Sequence, residues 1–368
     1  MAADGERRVT LHHGPAGLRR IEAAWRTLEE AMPGAPFHSG YQWHRAWLEA
    51  LEPRADEVMF AVFEAGDHCR GILPLLAETA SAPRWQPRVL EVPRRTGMDL
   101  SAVTMAPGQR LADWWPALRR ALKAASTGSF IIRLTGVPLE PASLAPLAGM
   151  ETRMITRVQN HRCWFDCRRS HEAITAGYTT RLKKILRRGH RKLAALGPLT
   201  LRRHHGREAI DAAYPEFLRL EASGWKAEGG TALAQDTRSR RFHETFLFAD
   251  DGARLQINLL LAGETAVAAQ LCARQGGTLS LMKIAHDQAL AKASPGSVLL
   301  DLLLQHGCDT ATCETIDLIT GQPWMENWGA ARTEVADLWL FDRPATAAVA
   351  RGATRLRDRL RRIRERSE

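Results

Sequence analysis

Residues 278–329 constrain the fold more than any other stretch, because short apolar runs alternate there with turn and helix signals. The run at Thr278–Ala285 predicts a buried strand. After a polar loop, Ser294–Pro295–Gly296–Ser297 and the apolar stripe behind it predict a helix that ends at Gly307. Thr315–Ile319 predicts the next strand. We therefore expect a strand, a crossover helix and a second strand.

The loop before this helix is a candidate anion site. A strand that leads through a glycine-bearing loop into a helix leaves backbone N–H groups pointing outward at the helix start. Gly296 also fits an ordinary crossover, in which the loop needs glycine only for its turn. The local pattern by itself favours that second interpretation, and it leaves both open.

The length and the repeated pattern of elements predict two domains. A chain of 368 residues exceeds one typical core, and its content of 45% hydrophobic and 25% charged residues is that of a globular protein. Each half has helices, a hairpin, a strand, a helix and a strand in that order. The expected boundaries are an N-terminal domain at 1–150, a C-terminal domain at 151–345 and a basic amphipathic helix at 346–368, with residues 138–149 as a linker.

Location and metal content follow from segments that the sequence lacks. No run is long and apolar enough to span a membrane, and the N-terminus has no apolar segment of the signal-peptide type. We expect a cytoplasmic protein. The six cysteines include no C-x-x-C pair, and His161, Cys163 and Cys167 lack the paired spacing of zinc sites. No metal is expected.

The net charge of +10 is concentrated in two segments. Residues 181–192 hold seven Lys and Arg and no acid, and residues 351–368 hold eight Arg against three acids. Because the remainder is close to neutral, a general nucleic-acid-binding surface is not expected. The C-terminal segment fits a helix lying on the body of the protein, or a contact with a membrane surface.

A series of motifs in the second half resembles the CelD/BcsL group of acetyltransferases, in the GNAT superfamily and related to the FemABX transferases. The resemblance covers about residues 170–340. It rests on the order and spacing of the following segments: the basic stretch Arg181–Lys192, Phe217–Leu218 with Glu221 and Trp225–Lys226, Gly263–Val267, Lys283–Asp287, Ser294–Gly296, Asp317, and Gly321 with Trp328–Gly329.

The resemblance implies an α/β (α+β) fold of tandem GNAT-like domains, each a mixed sheet flanked by helices. It implies an acetyl-CoA or other acyl-CoA donor bound where the central strands splay. It also implies a small-molecule or lipid-linked sugar acceptor, as in exopolysaccharide or cellulose-type synthesis. The positions that would bind the donor are Lys283, Ile284, Ala285, Lys292, Ser294, Gly296 and Ser297, and those that would bind the acceptor are Trp225, Lys226, Trp324 and Trp328.

Three positions depart from that family's pattern. The usual glycine-rich phosphate loop is represented only by Gly296 and Ser297. His286 stands where the group often has tyrosine, and Trp324 and Met325 stand where a Tyr–Lys pair is expected. The phenol that could protonate a leaving thiolate and the cation that could hold a phosphate are thus replaced.

Acetyl transfer to an amine needs a base, a donor of hydrogen bonds to the oxyanion, and a proton for the thiolate. Glu221 follows an apolar helical stretch, and Asp317 lies between Ile316 and Leu318, where an acid requires a partner or a function. His286 titrates in the useful range. These three are the candidate catalytic residues.

Two other functions remain open. A FemABX-type transferase would use aminoacyl-tRNA, with the basic stretch at 181–192 contacting phosphate. A non-catalytic module would instead bind polysaccharide or a membrane-associated synthesis complex, which the absent Tyr–Lys pair favours.

Overall fold

The computed structural model describes residues 6–50, 54–78, 87–92, 100–125, 128–223, 233, 236–249 and 254–353. The chain divides into two compact units. Unit 1 contains the described parts of Met1–Met32, His38–Gln159 and Glu334–Glu368, and unit 2 contains those of Pro33–Phe37 and Asn160–Thr333. The predicted boundary at 150/151 therefore lies near, but not at, the division at 159/160, and residues 334–341 belong to unit 1 because they pair with a strand of that unit.

Unit 1 is a mixed sheet with helices formed by amphipathic segments. Its strands are β1 Arg7–His13, β2 Met59–Ala65, β3 His68–Ala77, β4 Arg88–Glu91, β5 Thr104–Met105, β6 Phe130–Pro138 and β13 Ala331–Phe341, the last of which begins in unit 2. Its helices are α1 Gly14–Arg20, α2 Glu22–Glu30, α3 Tyr41–Ala50, α4 Leu111–Ala125 and α5 Pro141–Leu144. Residues 344–353 are also helical. The core is built around Trp114, Phe63 and the apolar faces of β3 and β6.

Unit 2 has the same type of sheet. Its strands are β7 Met154–Asp166, which starts in unit 1, β8 Leu199–His205, β9 Leu255–Ala262, β10 Thr265–Gln275, β11 Thr278–His286 and β12 Thr315–Asp317. Its helices are α6 His171–Thr175, α7 Thr180–Ala194, α8 Arg207–Ala222, α9 Thr237–Leu247 and α10 Pro295–Thr310. Short 3₁₀ helices span Gln288–Ala293 and Pro323–Trp328.

The two units share one strand order. In unit 1 the order is β1-β2-β3-β4-β6-β13, and in unit 2 it is β8-β9-β10-β11-β12-β7. In each, three antiparallel pairings are followed by one parallel pairing and a final antiparallel one. The expected α/β fold, with mixed sheets flanked by helices, is confirmed.

Helices cover both faces of the unit 2 sheet. Leu182, Leu186 and Leu193 of α7 share one core with Val298 and Leu303 of α10. The basic side chains of α7 are exposed, as its amphipathic pattern predicts, and the Thr179 hydroxyl caps its start by accepting from the Leu182 N–H at 3.2 Å. Helix α8 also packs on β10 and β11.

Two predicted element ends are wrong. Helix α10 does not stop at Gly307 but continues to Thr310, and Ala311 then turns the chain with φ +49°. Gly307 instead lies in close packing, where a Cβ would lie 3.3 Å from the Cys167 and Cys313 sulfurs. Strand β12 ends at Asp317 rather than Ile319, whose φ of +64° cannot continue a strand.

Other predictions concern the linker and membrane insertion. The predicted linker at 138–149 contains the last residue of β6 and two short helices, and it lies within unit 1. No helix in the described part of the chain combines the length and apolar character needed to cross a membrane. Residues 354–368 of the predicted basic helix lie outside the described residues.

Candidate active site

The parallel pair of strands in unit 2 opens into a fork. Strand β12 pairs with β11 only at Thr278, Leu279 and Ser280, the last of which lies opposite Asp317. Strand β11 continues to His286 and remains paired with β10. The ladder between β11 and β12 thus covers three of the nine residues of β11. Beyond Ser280 the edge of β11 that faces β12 is no longer part of that ladder, a geometry suited to an extended ligand pairing with strand backbone.

A β-bulge in β11 changes which way its side chains point. Leu271 of β10 lies opposite Lys283, and Cys272 lies opposite Leu281, so Met282 is the extra residue. A bulge reverses the alternation of side chains that follow it. Leu281 accordingly packs in the core with α10, whereas Lys283 reaches Glu221 of α8. The bulge divides the candidate residues of β11 between the two faces of the sheet.

The N-terminal end of α10 lies beside the end of β11. Ser294 adopts φ +51°, and its carbonyl accepts from the N–H groups of Ser297 and Val298. The first turn contains no acid, so the positive end of the helix dipole is not neutralised there. A Cβ on Gly296 would have one neighbour within reach, His286 Nδ1 at 4.0 Å, so Gly296 borders open space. Such a helix end can hold a phosphate.

Among the predicted donor-binding residues, the structure brings several together. Lys283, Ile284 and Ala285 lie in the part of β11 beyond its ladder with β12, and 43% of Ile284 is exposed. Lys292 closes the 3₁₀ helix that leads to Ser294. Their role as donor contacts remains a prediction.

Glu221 is fully enclosed and makes two polar contacts. Its carboxylate accepts the Leu233 N–H at 2.8 Å and lies 3.5 Å from the Lys283 ammonium. The Glu221 side chain is 0% exposed, and that of Lys283 is 18% exposed. A buried carboxylate needs such compensation. The arrangement allows Glu221 to orient Lys283 beside the fork, and a role as base stays a prediction.

Asp317 marks the point at which the fork opens. Its carboxylate lies 3.2 Å from Arg162 of β7 and accepts the Ile319 N–H at 2.8 Å. The ion pair with Arg162 and the turn that Asp317 stabilises thus explain why an acid lies between Ile316 and Leu318. Ile319 is β-branched and has a positive φ, which costs about 1–3 kcal/mol and requires surrounding contacts that hold it.

His286 is the candidate catalytic residue closest to the α10 helix end. It is the last residue of β11 and is half-buried, and its Nδ1 faces the open space beside Gly296. The Ser223 hydroxyl donates to the His286 carbonyl at 3.1 Å and ties the strand end to the segment after α8. This position allows an imidazole to exchange protons with a ligand bound at the fork.

The aromatic acceptor-binding candidates differ in exposure. Trp324 is 39% exposed, with its ring centroid 6.4 Å from that of Trp328. Trp328 is 1% exposed and packs edge-on against Phe165 and Tyr178. The ring of Trp328 therefore belongs to the core, and we retain Trp324 as the candidate for contact with an acceptor. Trp225 and Lys226 lie outside the described residues.

Sequence reasoning missed three features that shape the site. The bulge at Met282 has no distinct sequence signal. Gly189 of α7 allows close contact, since a Cβ there would lie 2.5 Å from the Ala293 carbonyl oxygen, next to the Ser294 loop. Asp301 of α10 accepts the Tyr178 hydroxyl at 3.0 Å and lies 3.2 Å from His171 Nε2. Gly189 interrupts a regular basic helix, and that interruption was the available signal.

Comparison with known proteins agrees with this geometry. Residues 180–328 match the family described as "Acetyltransferase (GNAT) domain". No curated protein sequence matches the chain.

Solved structures of low identity show the same fold. The C-terminal domain (DUF2156) of a putative lysylphosphatidylglycerol synthetase from Agrobacterium fabrum is 10% identical, with a TM-score of 0.54, and the match covers 89% of this chain and 94% of that one. The structure of L-PGS from Bacillus licheniformis is 13% identical, with a TM-score of 0.52, and coverage of 92% and 96%. FemX is 9% identical, with a TM-score of 0.53, and coverage of 92% and 99%.

The matched region contains the parts of the site described above. The fork of β11 and β12, the bulge, the start of α10 and all three candidate catalytic residues fall within residues 180–328. Residues 180–328 of unit 2 are thus similar to the acetyltransferase (GNAT) domain.

Proposed function

We propose that the protein transfers an acetyl group from acetyl-CoA, or a related acyl group from its CoA ester, to an amine or hydroxyl of a sugar. The observation that carries the proposal is the fork, which opens after Ser280 directly beside the acid-free start of α10. An extended pantetheine arm fits an edge of strand backbone, and a pyrophosphate fits a helix N-terminus. No other described part of the chain combines these two features.

The chain's own residues supply the rest of the chemistry. Backbone N–H groups of β11 beyond the bulge are assigned to donate to the oxyanion that forms at the acyl carbon. His286 lies beside Gly296 and is assigned the proton exchange. Glu221 and Asp317 are assigned supporting roles, because each is already bound to a cation and to a backbone N–H.

The acceptor assignment rests on the sequence resemblance and on one exposed ring. A sugar face stacks on an aromatic ring, and Trp324 offers one at the surface. We extend the proposal to an acceptor of an exopolysaccharide or cellulose-type pathway, free or lipid-linked, met in the cytoplasm. A membrane-surface contact through the basic C-terminal segment belongs to the same proposal. Within unit 1, the side chain of Arg351 is already bound to the carbonyls of Thr152 and Met154.

Calorimetry with CoA tests the donor site before any acceptor is known. Gly296→Val places a branched side chain in the open space beside His286, and we expect CoA affinity to fall at least tenfold with folding unchanged. Gly34→Val is the matched control, because Gly34 also borders open space and lies elsewhere in unit 2. Equal affinities in the two variants would place the phosphates elsewhere.

A second candidate function is transfer from aminoacyl-tRNA, which the charge of α7 favours. Its seven Lys and Arg side chains are exposed, and none has an acidic partner within 4 Å among the described residues. The helix also contacts the segment before Ser294. Titration with tRNA at two salt concentrations separates the candidates: micromolar or tighter tRNA binding that falls with salt, without CoA binding, would favour this function.

A further inference from the structure

A second polar region of unit 2 lies at the other end of α10. Three of the six cysteines meet there: Cys167 directly after β7, Cys308 on α10 and Cys313 before β12. The Cys167 and Cys313 sulfurs both lie 3.3 Å from the place that a Cβ on Gly307 would occupy. Cys313 and Cys308 both raise the pKa of the Cys167 thiol, so the three side chains are close neighbours. We name these three residues the thiol cluster.

The thiol cluster borders a pocket with a positive lining. Cys313 lines it together with Arg203 of β8, Arg274 of β10 and His306 of α10. Arg274 donates to the Gln256 side chain at 2.9 Å and to the Thr312 carbonyl at 3.3 Å, both neutral acceptors. No described carboxylate lies within 4 Å of either guanidinium. The pocket therefore carries uncompensated positive charge beside a sulfur.

The thiols are not equivalent. A hydrogen bond from Cys167 lowers the pKa of Cys313, and the charges of Arg274 and Arg203 act in the same direction against burial. The same bond raises the pKa of Cys167, and burial raises the pKa of Cys308. Asp309 and Asp166, the acids facing the cluster, act on Cys308. Cys313 is thus the most acidic thiol of the cluster, and Cys167, 2% exposed, lies next to it.

We propose that the thiol cluster is a peroxide-reactive site, in which Cys313 is the attacking sulfur and Cys167 resolves it. The Cys313 thiolate attacks a hydroperoxide, an S–O bond forms, the O–O bond breaks, and hydroxide leaves to be protonated to water. Cys167 then attacks the sulfenic sulfur, an S–S bond forms, the S–O bond breaks, and the Cys167 proton leaves with the hydroxide as water. One peroxide is reduced by two electrons, and two thiols become one disulfide.

The backbone already holds the two segments at pairing distance. The Cys167 N–H donates to the carbonyl of Glu314, the neighbour of Cys313, at 2.7 Å, and Asp166 pairs with Thr315. The site is separate from the fork, because it lies at the C-terminal end of α10 and the fork lies beside its N-terminal end.

Thiol mapping on the native full-length chain tests the proposal without an activity assay. We expect iodoacetamide to label Cys313 faster than any other cysteine, and stoichiometric hydrogen peroxide to give a Cys167–Cys313 disulfide found by peptide mass spectrometry. Cys167→Ser should instead accumulate a dimedone adduct on Cys313. Cys69→Ser is the matched control, since Cys69 is also half-buried but lies in unit 1, and it should change neither result.

A variant outside the cluster keeps the test independent of any folding defect in the cysteine variants. Arg203→Gln should slow Cys313 alkylation roughly threefold, because loss of this positive charge raises the pKa of the thiol and lowers the fraction of thiolate, while part of that loss is returned in nucleophilicity. Labelling of Cys313 no faster than that of Cys69 would overturn the proposal. A peroxide-dependent disulfide between Cys167 and Cys308 that persists in Cys313→Ser would overturn it as well.

Discussion

Unit 1 and unit 2 have the same strand order, yet among the described residues only unit 2 has a fork with an acid-free helix start beside it. In unit 1 the parallel ladder of β4 with β6 runs along all of β4, from Arg88 to Glu91, whereas β11 leaves its ladder with β12 after three rungs. Helix α4, which precedes β6, has Asp113 in its first turn, held by Arg110 at 2.9 Å. The corresponding helix of unit 2, α10, has no acid in its first turn.

This difference shows that a shared topology does not make a donor site. An acid in the first turn neutralises the positive helix end that a phosphate would need, and a closed ladder leaves no strand edge for an extended ligand. Unit 1 instead uses its helix α4 for packing, with Trp114 and Trp115 buried and Asp342 bound to Arg119. The expected consequence is that one unit binds the donor and the other supports the fold.

The largest effect is expected from removing the imidazole beside the fork. His286→Asn should lower turnover of an amino-sugar acceptor by about 10²–10⁴-fold, because it removes the group assigned to proton exchange. Folding and CoA affinity should change little, since the side chain is half-buried and adjoins open space. Steady-state acetyl transfer at fixed acetyl-CoA measures the effect, with His190→Asn on α7 as the control.

Glu221→Gln and Asp317→Asn test the other two candidates in the same assay. Each breaks a largely buried ion pair, so each should first lower the free energy of unfolding, by about 3–5 kcal/mol. A variant of either residue that folds normally, binds CoA normally and loses turnover more than His286→Asn would transfer the role of base to that residue.

The next effect concerns the contact between α7 and the Ser294 loop of unit 2. Gly189→Ala should lower the free energy of unfolding by about 2–3 kcal/mol and weaken CoA binding, because the added methyl would lie 2.5 Å from the Ala293 carbonyl oxygen. Gly352→Ala is the matched helical change in unit 1, where nothing lies within 4 Å of the added Cβ. That control should be neutral or stabilising by up to about 1 kcal/mol. Equal unfolding midpoints for Gly189→Ala and Gly352→Ala would show that the close contact at Gly189 is not needed for stability.

A third change gives unit 2 the helix start of unit 1. Ser297→Asp puts an acid in the first turn of α10, as Asp113 does in α4, and should weaken CoA binding roughly thirtyfold through charge repulsion with the phosphates. Gln305→Asp adds the same charge at an exposed position further along α10 and should leave affinity unchanged. The difference in CoA affinity between the two variants should become smaller as the salt concentration rises. An equal loss of CoA affinity in both variants would mean that the net charge of the protein, rather than the charge at the start of α10, governs binding.

The sequence predicted regular segments well and the site only in outline. The periodic spacing of apolar residues and the turn residues predicted β11, α10 and the hairpins, because those patterns are local. Gly307 was taken for a helix end because glycine at that place usually is one, whereas here it makes room for Cys167 and Cys313, which come from distant segments. Asp317 was singled out correctly as an acid that needs an explanation, but its partner Arg162 lies 155 residues away. The bulge depends on pairing with β10 and has no signal of its own.

The smallest effect is an acid sensitivity expected of unit 1. His44 on α3 is 4% exposed beside Trp25, and burial, with the nearby His38 adding to it, lowers its pKa to about 3. The unfolded chain binds a proton at this residue below about pH 6.5, whereas the folded chain stays neutral there until far lower pH. Stability contributed by His44 is therefore present above pH 6.5 and is lost as the pH falls towards 3.

At pH 5.5 the loss amounts to about 1.4 kcal/mol by this linkage. Hydrogen exchange of peptides from α3 should accelerate about tenfold between pH 7 and 5.5, after correction for intrinsic rates, while peptides from α10 should not. His68→Gln, at an exposed position of the same unit, should leave this response intact. His44→Gln should abolish it at some cost in stability at neutral pH. If α3 and α10 lose protection together on acidification, the acid sensitivity is not specific to α3 and its assignment to His44 is refuted.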